Sequence, residues 1–164
     1  MHPKTTEILQ IIEKNGRISL STLAKMVELP VEEVEKIVQK LEEDEIILNY
    51  KAVIDWNKVQ RNEKVTAVID VKVRPKHGVG FDEVAERIYR FPQVQSVYLM
   101  SGAYDLSVVI EGNSMSEIAQ FVSDKLATID TVLSTTTHFK LKIYKHDGVV
   151  FDRKEEDPRM LVTP

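Results

Sequence analysis

The 164-residue chain contains no cysteine, which excludes disulfides, thiolate zinc sites and cysteine nucleophiles and fits a reducing compartment. No apolar run approaches the ~18 residues needed to span a bilayer, and Met1-His2-Pro3-Lys4-Thr5 lacks the apolar core of a signal peptide. The expected address is therefore the cytoplasm. The four histidines, His2, His77, His138 and His146, are scattered, with no two at metal-ligand spacing, so neither a metal nor a cofactor is expected. His77-Gly78-Val79-Gly80 lacks the full glycine fingerprint and the Lys-Ser/Thr of a phosphate loop and reads as a plain loop. Ser, His and Asp occur without a nucleophile elbow. Positive charge is also scarce. The net charge is -4, and residues 1–60 carry 11 acidic against 8 basic side chains, which argues against a protein held to nucleic acid by bulk attraction alone.

What is present is periodicity, and 43% hydrophobic content is enough for one ordinary domain or two small ones. From Thr5 or Thr6 as a cap, Ile8, Leu9, Ile11 and Ile12 mark a first helix that stops at Gly16. Ser19 caps a second, with the stripe Leu23, Ala24 and Val27. After Glu28-Leu29-Pro30, the stripe Val34, Ile37, Val38 and Leu41 marks a third, with Pro30 in its first turn and Glu32 and Glu33 beside the positive end of the helix dipole. Ile46 to Ile54 is rich in β-formers and reads as a strand leaving the head. Two helices on a tight turn followed by a strand outline a helix-turn-helix DNA reader.

Beyond a polar stretch at 56–64 the period changes. Val65 to Val73 alternates as a half-buried strand ended by Pro75, and Phe81, Val84, Ala85, Ile88 and Tyr89 form a helical stripe. Val94–Met100 and Tyr104–Glu111 make a hairpin around Ser101-Gly102-Ala103. Met115, Ile118, Ala119, Phe121, Val122 and Leu126 mark another helix, capped by Ser114 or Ser116, and Val132–Ile143 closes the order β-α-β-β-α-β. The fold expected is α+β: a winged-type helix-turn-helix domain over 1–55, a linker over 56–64, a ferredoxin-like sandwich over 65–146 and a tail over 147–164. Apolar residues on both sheet faces predict a dimer through the sheets.

Away from its apolar stripe the third helix presents Glu32, Glu33, Glu35, Lys36, Gln39 and Lys40. Gln39 suits adenine, and Lys36 and Lys40 suit guanine or phosphate, while Arg17, Ser21, Thr22 and Lys25 would position the head on phosphates. The plain alternative is a solvated helix face. In the hairpin turn, Gly102 permits close backbone approach, so amide groups could hold a carboxylate and Asp105 an α-amino group; the plain alternative is a turn that needs glycine, with Asp105 bonding its own turn.

Gly102-Ala103-Tyr104-Asp105, Thr135-Thr136-Thr137, Arg17-Ile18-Ser19, Leu23-Ala24 and Leu41-Glu42 together resemble the Lrp/AsnC, or feast/famine, family of transcriptional regulators, over about residues 4–146. The chain has Pro30 where the family commonly has Ser, Ile37 where it has a basic residue and Glu45 where it has Gly. The resemblance implies a regulator that binds double-stranded DNA and an amino-acid effector. It also implies a homodimer that builds a larger homo-oligomer such as an octamer, with an effector pocket between subunits that includes Gly102, Ala103, Tyr104, Asp105, Thr135 and Thr137. Two alternatives remain at this point: a small dimeric ferredoxin-like enzyme, against which the extra head argues, and a co-assembling, effector-binding relative with weak or no DNA binding.

Overall fold

The computed structural model describes residues 2–59, 64–74 and 80–151. Pro75, the 77–79 part of the glycine-containing loop, residues 60–63 of the expected linker and residues 152–164 of the tail lie outside the described residues. Two compact units divide the chain, 1–54 and 55–164.

In the first unit, α1 (Thr5–Lys14), α2 (Leu20–Val27) and α3 (Val31–Glu43) bury Ile8, Leu23, Ala24, Val27, Val34, Val38 and Leu41 against one another. Neither Thr5 nor Thr6 caps α1. The chain enters through Lys4 with no side-chain cap, and Thr5, only 3% exposed, is the first helical residue. Its N–H bonds the carbonyl of His2 at 3.0 Å, so backbone does what a cap was expected to do. Ser19 caps α2 as expected, its Oγ accepting from the Thr22 N–H at 3.1 Å.

The turn is made by Glu28, left-handed at φ 56°, whose N–H bonds the Ala24 carbonyl. Pro30 follows one residue ahead of α3, as its cap rather than inside its first turn. After α3, Glu45 also adopts positive φ, 54°, the conformation glycine takes most readily. From Ile46 to Ile54 no strand forms among the described residues. β-formers need a neighbouring strand as well as a surface to pack on, and among the described residues this unit supplies only the surface, on which Ile47 packs.

The second unit contains the antiparallel sheet β2-β3-β1-β4, built from β1 (Val65–Val73), β2 (Val94–Leu99), β3 (Leu106–Gly112) and β4 (Val132–Phe139). The helices α4 (Phe81–Tyr89) and α5 (Met115–Phe121) cover one face. Ala67, Ile69, Val71, Leu106, Val108 and Ile110 point beneath them with Val84, Ile88, Ile118 and Phe121, and Phe91 meets Phe121 edge-on at 5.3 Å. Ser114 caps α5, and Glu117 reaches back to the Asn113 N–H at 2.8 Å, a reciprocal cap.

Three strand ends differ from the alternation reading. β2 stops at Leu99 and β3 starts at Leu106, because the Met100 N–H bonds the Asp105 carbonyl and the Asp105 N–H bonds Val71. β4 stops at Phe139. The Lys140 N–H makes the last bond, to Thr66, where β1 runs out. A small hairpin follows, β5 (Lys145–His146) and β6 (Val149–Val150), turning on Asp147 and Gly148, both at positive φ.

The premise that both sheet faces are apolar is corrected by the register. Thr66, Val68, Asp70 and Lys72 of β1 lie opposite Glu111, Val109 and Ser107 of β3 and His138, Thr136 and Ser134 of β4. The uncovered face is therefore a mainly polar surface with Val68, Val109 and, from β2 opposite Ser107, the exposed Tyr98 within it.

Candidate functional site

On the head, Lys36, Gln39 and Lys40 are all exposed on α3, and neither lysine is ion-paired among the described residues. Several acidic neighbours are engaged within the head. Glu33 lies 3.2 Å from His2, Glu42 accepts from the Tyr50 hydroxyl at 2.7 Å, and Glu43 accepts from Gln39 Nε2 at 2.8 Å. Gln39 thus arrives already hydrogen-bonded one turn along its own helix. Burial, then the hydrogen bond to Glu42 and the carboxylate's charge, push the Tyr50 phenol up to about 12.

Of the other four head residues, Arg17, Ser21 and Thr22 sit around the start of α2 and Lys25 lies in its last turn. Ser21 and Thr22 join their hydroxyls to Ser19 Oγ at 3.0 and 2.8 Å, so both belong to the capping network. The Arg17 N–H donates to Asn15 Oδ1 at 3.2 Å. Arg17 and Lys25 are exposed.

In the second unit, Gly102 has φ 143° and open space around it. Ala103 is exposed beside it, and Tyr104 and Asp105 are half-buried. Asp105 is held by its own chain. Its Oδ2 accepts from the Val73 N–H at 2.8 Å and its Oδ1 from Lys72 Nζ at 3.4 Å. The Val73 bond, with the Lys72 ammonium assisting, holds this carboxyl below the usual aspartate range against the opposing effect of burial.

The three threonines of β4 divide between faces. Thr135 opposes Val71 and Thr137 opposes Ile69, which puts both on the helix-covered side. Thr136 opposes Asp70 on the uncovered side, and its Oγ1 lies 2.9 Å from the Tyr104 hydroxyl. On the same face His138 Nε2 lies 3.1 Å from Asp70 Oδ2. The structure therefore brings Tyr104 to Thr136, and it brings neither Thr135 nor Thr137 to the turn by any side-chain hydrogen bond among the described residues. Thr136, Lys72, Asp70 and His138 escaped the sequence reading because strand alternation does not give cross-strand register. Tyr50 and Glu42 escaped it because their contact lies outside any helical repeat.

The chain matches two family models: a winged helix-turn-helix DNA-binding model over residues 1–47 and the Lrp/AsnC ligand binding domain over residues 66–150. It is 64% identical over 161 residues to the HTH-type transcriptional regulator YugG of Bacillus subtilis, covering 98% of this chain and 97% of that one. A Pyrococcus horikoshii HTH-type transcriptional regulator is 32% identical over 130 residues, 79% of this chain and 85% of its own. Among solved structures, a transcriptional regulator of Neisseria meningitidis in its L-Met complex superposes with a TM-score of 0.70 at 26% identity, covering 89% of this chain and 93% of that one.

Proposed function

The chain belongs to the Lrp/AsnC family of transcriptional regulators, and from that premise we propose that paired copies set α3 of each head in the major groove at two half-sites. An amino acid bound near the Ser101–Asp105 turn then shifts the assembly. The chain is a DNA-binding regulator with a ligand-binding module, and its relatives are regulators, not enzymes. No helix among the described residues is long and apolar enough to cross a membrane.

The observation that carries the reading is the charge arrangement on α3. Lys36 and Lys40 are exposed with no ion pair among the described residues, and Glu33, Glu42 and Glu43 have partners within the head, which leaves Glu32 and Glu35 as the exposed acidic neighbours that the two lysines must offset. An acidic helix can approach phosphate when its free cations lie on one side and a second head supplies the rest of the affinity through effective concentration. For the turn, the support is an open glycine beside Tyr104 and Thr136, together with the L-Met complex of the Neisseria relative. Gly102, Ala103 and Tyr104 remain the proposed contacts, and Thr136, hydrogen-bonded to Tyr104, takes the place of Thr135 and Thr137, which face the helices. Asp105, bound to Val73, acts as the frame of the turn more than as a free ligand group. Pairing through the uncovered sheet face would bring together polar groups around Val68 and Val109.

The experiment is a titration of DNA from upstream of the protein's own coding region at fixed salt, with each common amino acid in turn. An effector is expected to change the apparent affinity by about fivefold or more. Lys36→Glu is expected to weaken binding by about tenfold or more with unchanged sedimentation, one base contact being worth about 1–3 kcal/mol. Unaltered binding by Lys36→Glu removes α3 from the interface, and the absence of any amino-acid response removes only the effector.

A further inference from the structure

The chain leaves α3 over a groove of about 410 Å³ whose apolar walls include Ile12, Ile18, Leu23 and Val38. Tyr50 lies over it. Its hydroxyl reaches Glu42 near the end of α3, and its ring lies so close to Gly16 that a Cβ there would come within 3.2 Å of Cδ1. One side chain therefore touches the helix that meets DNA, the turn between α1 and α2, and the segment that departs for the second unit. Ile46 and Ile47 are still tied to the end of α3, their N–H groups bonding the Leu41 carbonyl at 2.9 and 3.0 Å and Ile47 packing on the head core, but the residues on either side of Tyr50 give no such hold. Leu48 is 82% exposed, and among the described residues no strand pairs with residues 46–54 and no side-chain hydrogen bond fixes Asn49 or Lys51.

We propose that Tyr50 is a positioning residue: clamped between Gly16 and Glu42, it fixes the direction in which the chain leaves the recognition helix and thereby the half-site spacing that paired heads accept. The spacing part rests on the paired-head reading above; the clamp does not. A segment free to swing at residue 50 would let two linked heads reach half-sites at many separations. A pinned one restricts them to few, because an intramolecular second contact gains only when the connection matches the span. Glu42 then serves orientation, which gives one of the acidic groups on α3 a purpose compatible with binding DNA.

Two measurements on the full chain separate the clamp from its consequence. The chain has no cysteine, so Lys25→Cys with Lys51→Cys gives one spin-label pair per head, diluted with unlabelled chain to remove distances between subunits. Tyr50→Phe keeps the ring and loses the hydroxyl, and it is expected to widen the label distance distribution about twofold. Glu42→Gln still offers an oxygen and is expected to retain the narrow distribution, while Glu42→Ala is expected to match Tyr50→Phe. An unchanged width in Tyr50→Phe overturns the clamp. Duplexes of the upstream region, with one to five base pairs inserted between the footprinted half-sites, then read the spacing. The affinity ratio between best and worst spacing is expected to fall at least threefold in Tyr50→Phe while a single half-site binds as before. A widened distribution with unchanged spacing preference overturns the link to spacing. Failure of the unsubstituted chain to footprint any DNA counts against the paired-head reading and leaves the spin-label result to decide the clamp.

Discussion

The two units each hold an acidic side chain by hydrogen bonding, in different ways. In the sheet unit Asp105 accepts from a strand N–H, that of Val73, just beyond the last β1–β3 pair, Val71 with Leu106. In the head Glu42 accepts from a side chain, Tyr50, on an exposed segment. The first bond completes a backbone ladder and is lost only with the end of the strand. The second can open while the three helices stay packed, since their core of Ile8, Leu23, Val27, Val34 and Leu41 does not depend on it. Identical chemistry therefore frames a turn in one unit and steers a flexible exit in the other.

The largest effect that separates the units comes from the cores. Ile110→Ala, at a fully buried position beneath the helices, is expected to destabilise the sheet unit by about 2–5 kcal/mol. Hydrogen exchange of α1–α3 amides should stay near its original rates. Equal acceleration in both units would mean that they unfold together and would end the comparison. Next is Ser19→Ala, which removes the cap shared with Thr22 and should cost the head about 1 kcal/mol, read from the same amides with the sheet unaffected.

Smaller again is the effect of Glu45→Gly, which relieves a left-handed non-glycine residue. It is expected to stabilise the head by less than about 1 kcal/mol, strain relief being offset by the freer unfolded chain. The last is visible only in acid. Asp105 has a lowered pKa in the folded state, so its contribution is present above the unfolded value near 3.8 and is lost as pH falls through the folded one. Asp105→Asn should therefore flatten the acid limb of sheet-unit stability measured by denaturation between about pH 5 and 2, and an unchanged limb would show that the Val73 bond is not kept in solution.

Most of the architecture was legible because alternation and helical stripes report burial directly: Val65–Val73, α2 with its Ser19 cap, and α3 over Val34, Val38 and Leu41 all lie where the pattern puts them. Register was not legible. Thr135-Thr136-Thr137 are three equal residues in a strand, so no alternation tells which faces outward, and pairing with β1 decides for Thr136. The apolar residues of the uncovered face, Val68, Val109 and Tyr98, are interleaved with polar cross-strand neighbours that no single strand reveals. β-propensity misled at Ile46–Ile54, where no partner strand exists within the unit. Asp147-Gly148 carried a hairpin signal that the eye passed over because the flanking strands are two residues each.

In the proposed complex a net acidic head meets DNA through the exposed cations of α3, Lys36 and Lys40. The most direct test of this contact is the salt dependence of full-chain affinity for the upstream DNA, measured for the unsubstituted protein and for Lys36→Gln combined with Lys40→Gln. Loss of two phosphate-facing cations should make the slope of log K against log salt shallower by about 1 to 2 and lower the affinity about tenfold or more, with sedimentation unchanged. Equal slopes and equal affinities in the two proteins would contradict the account.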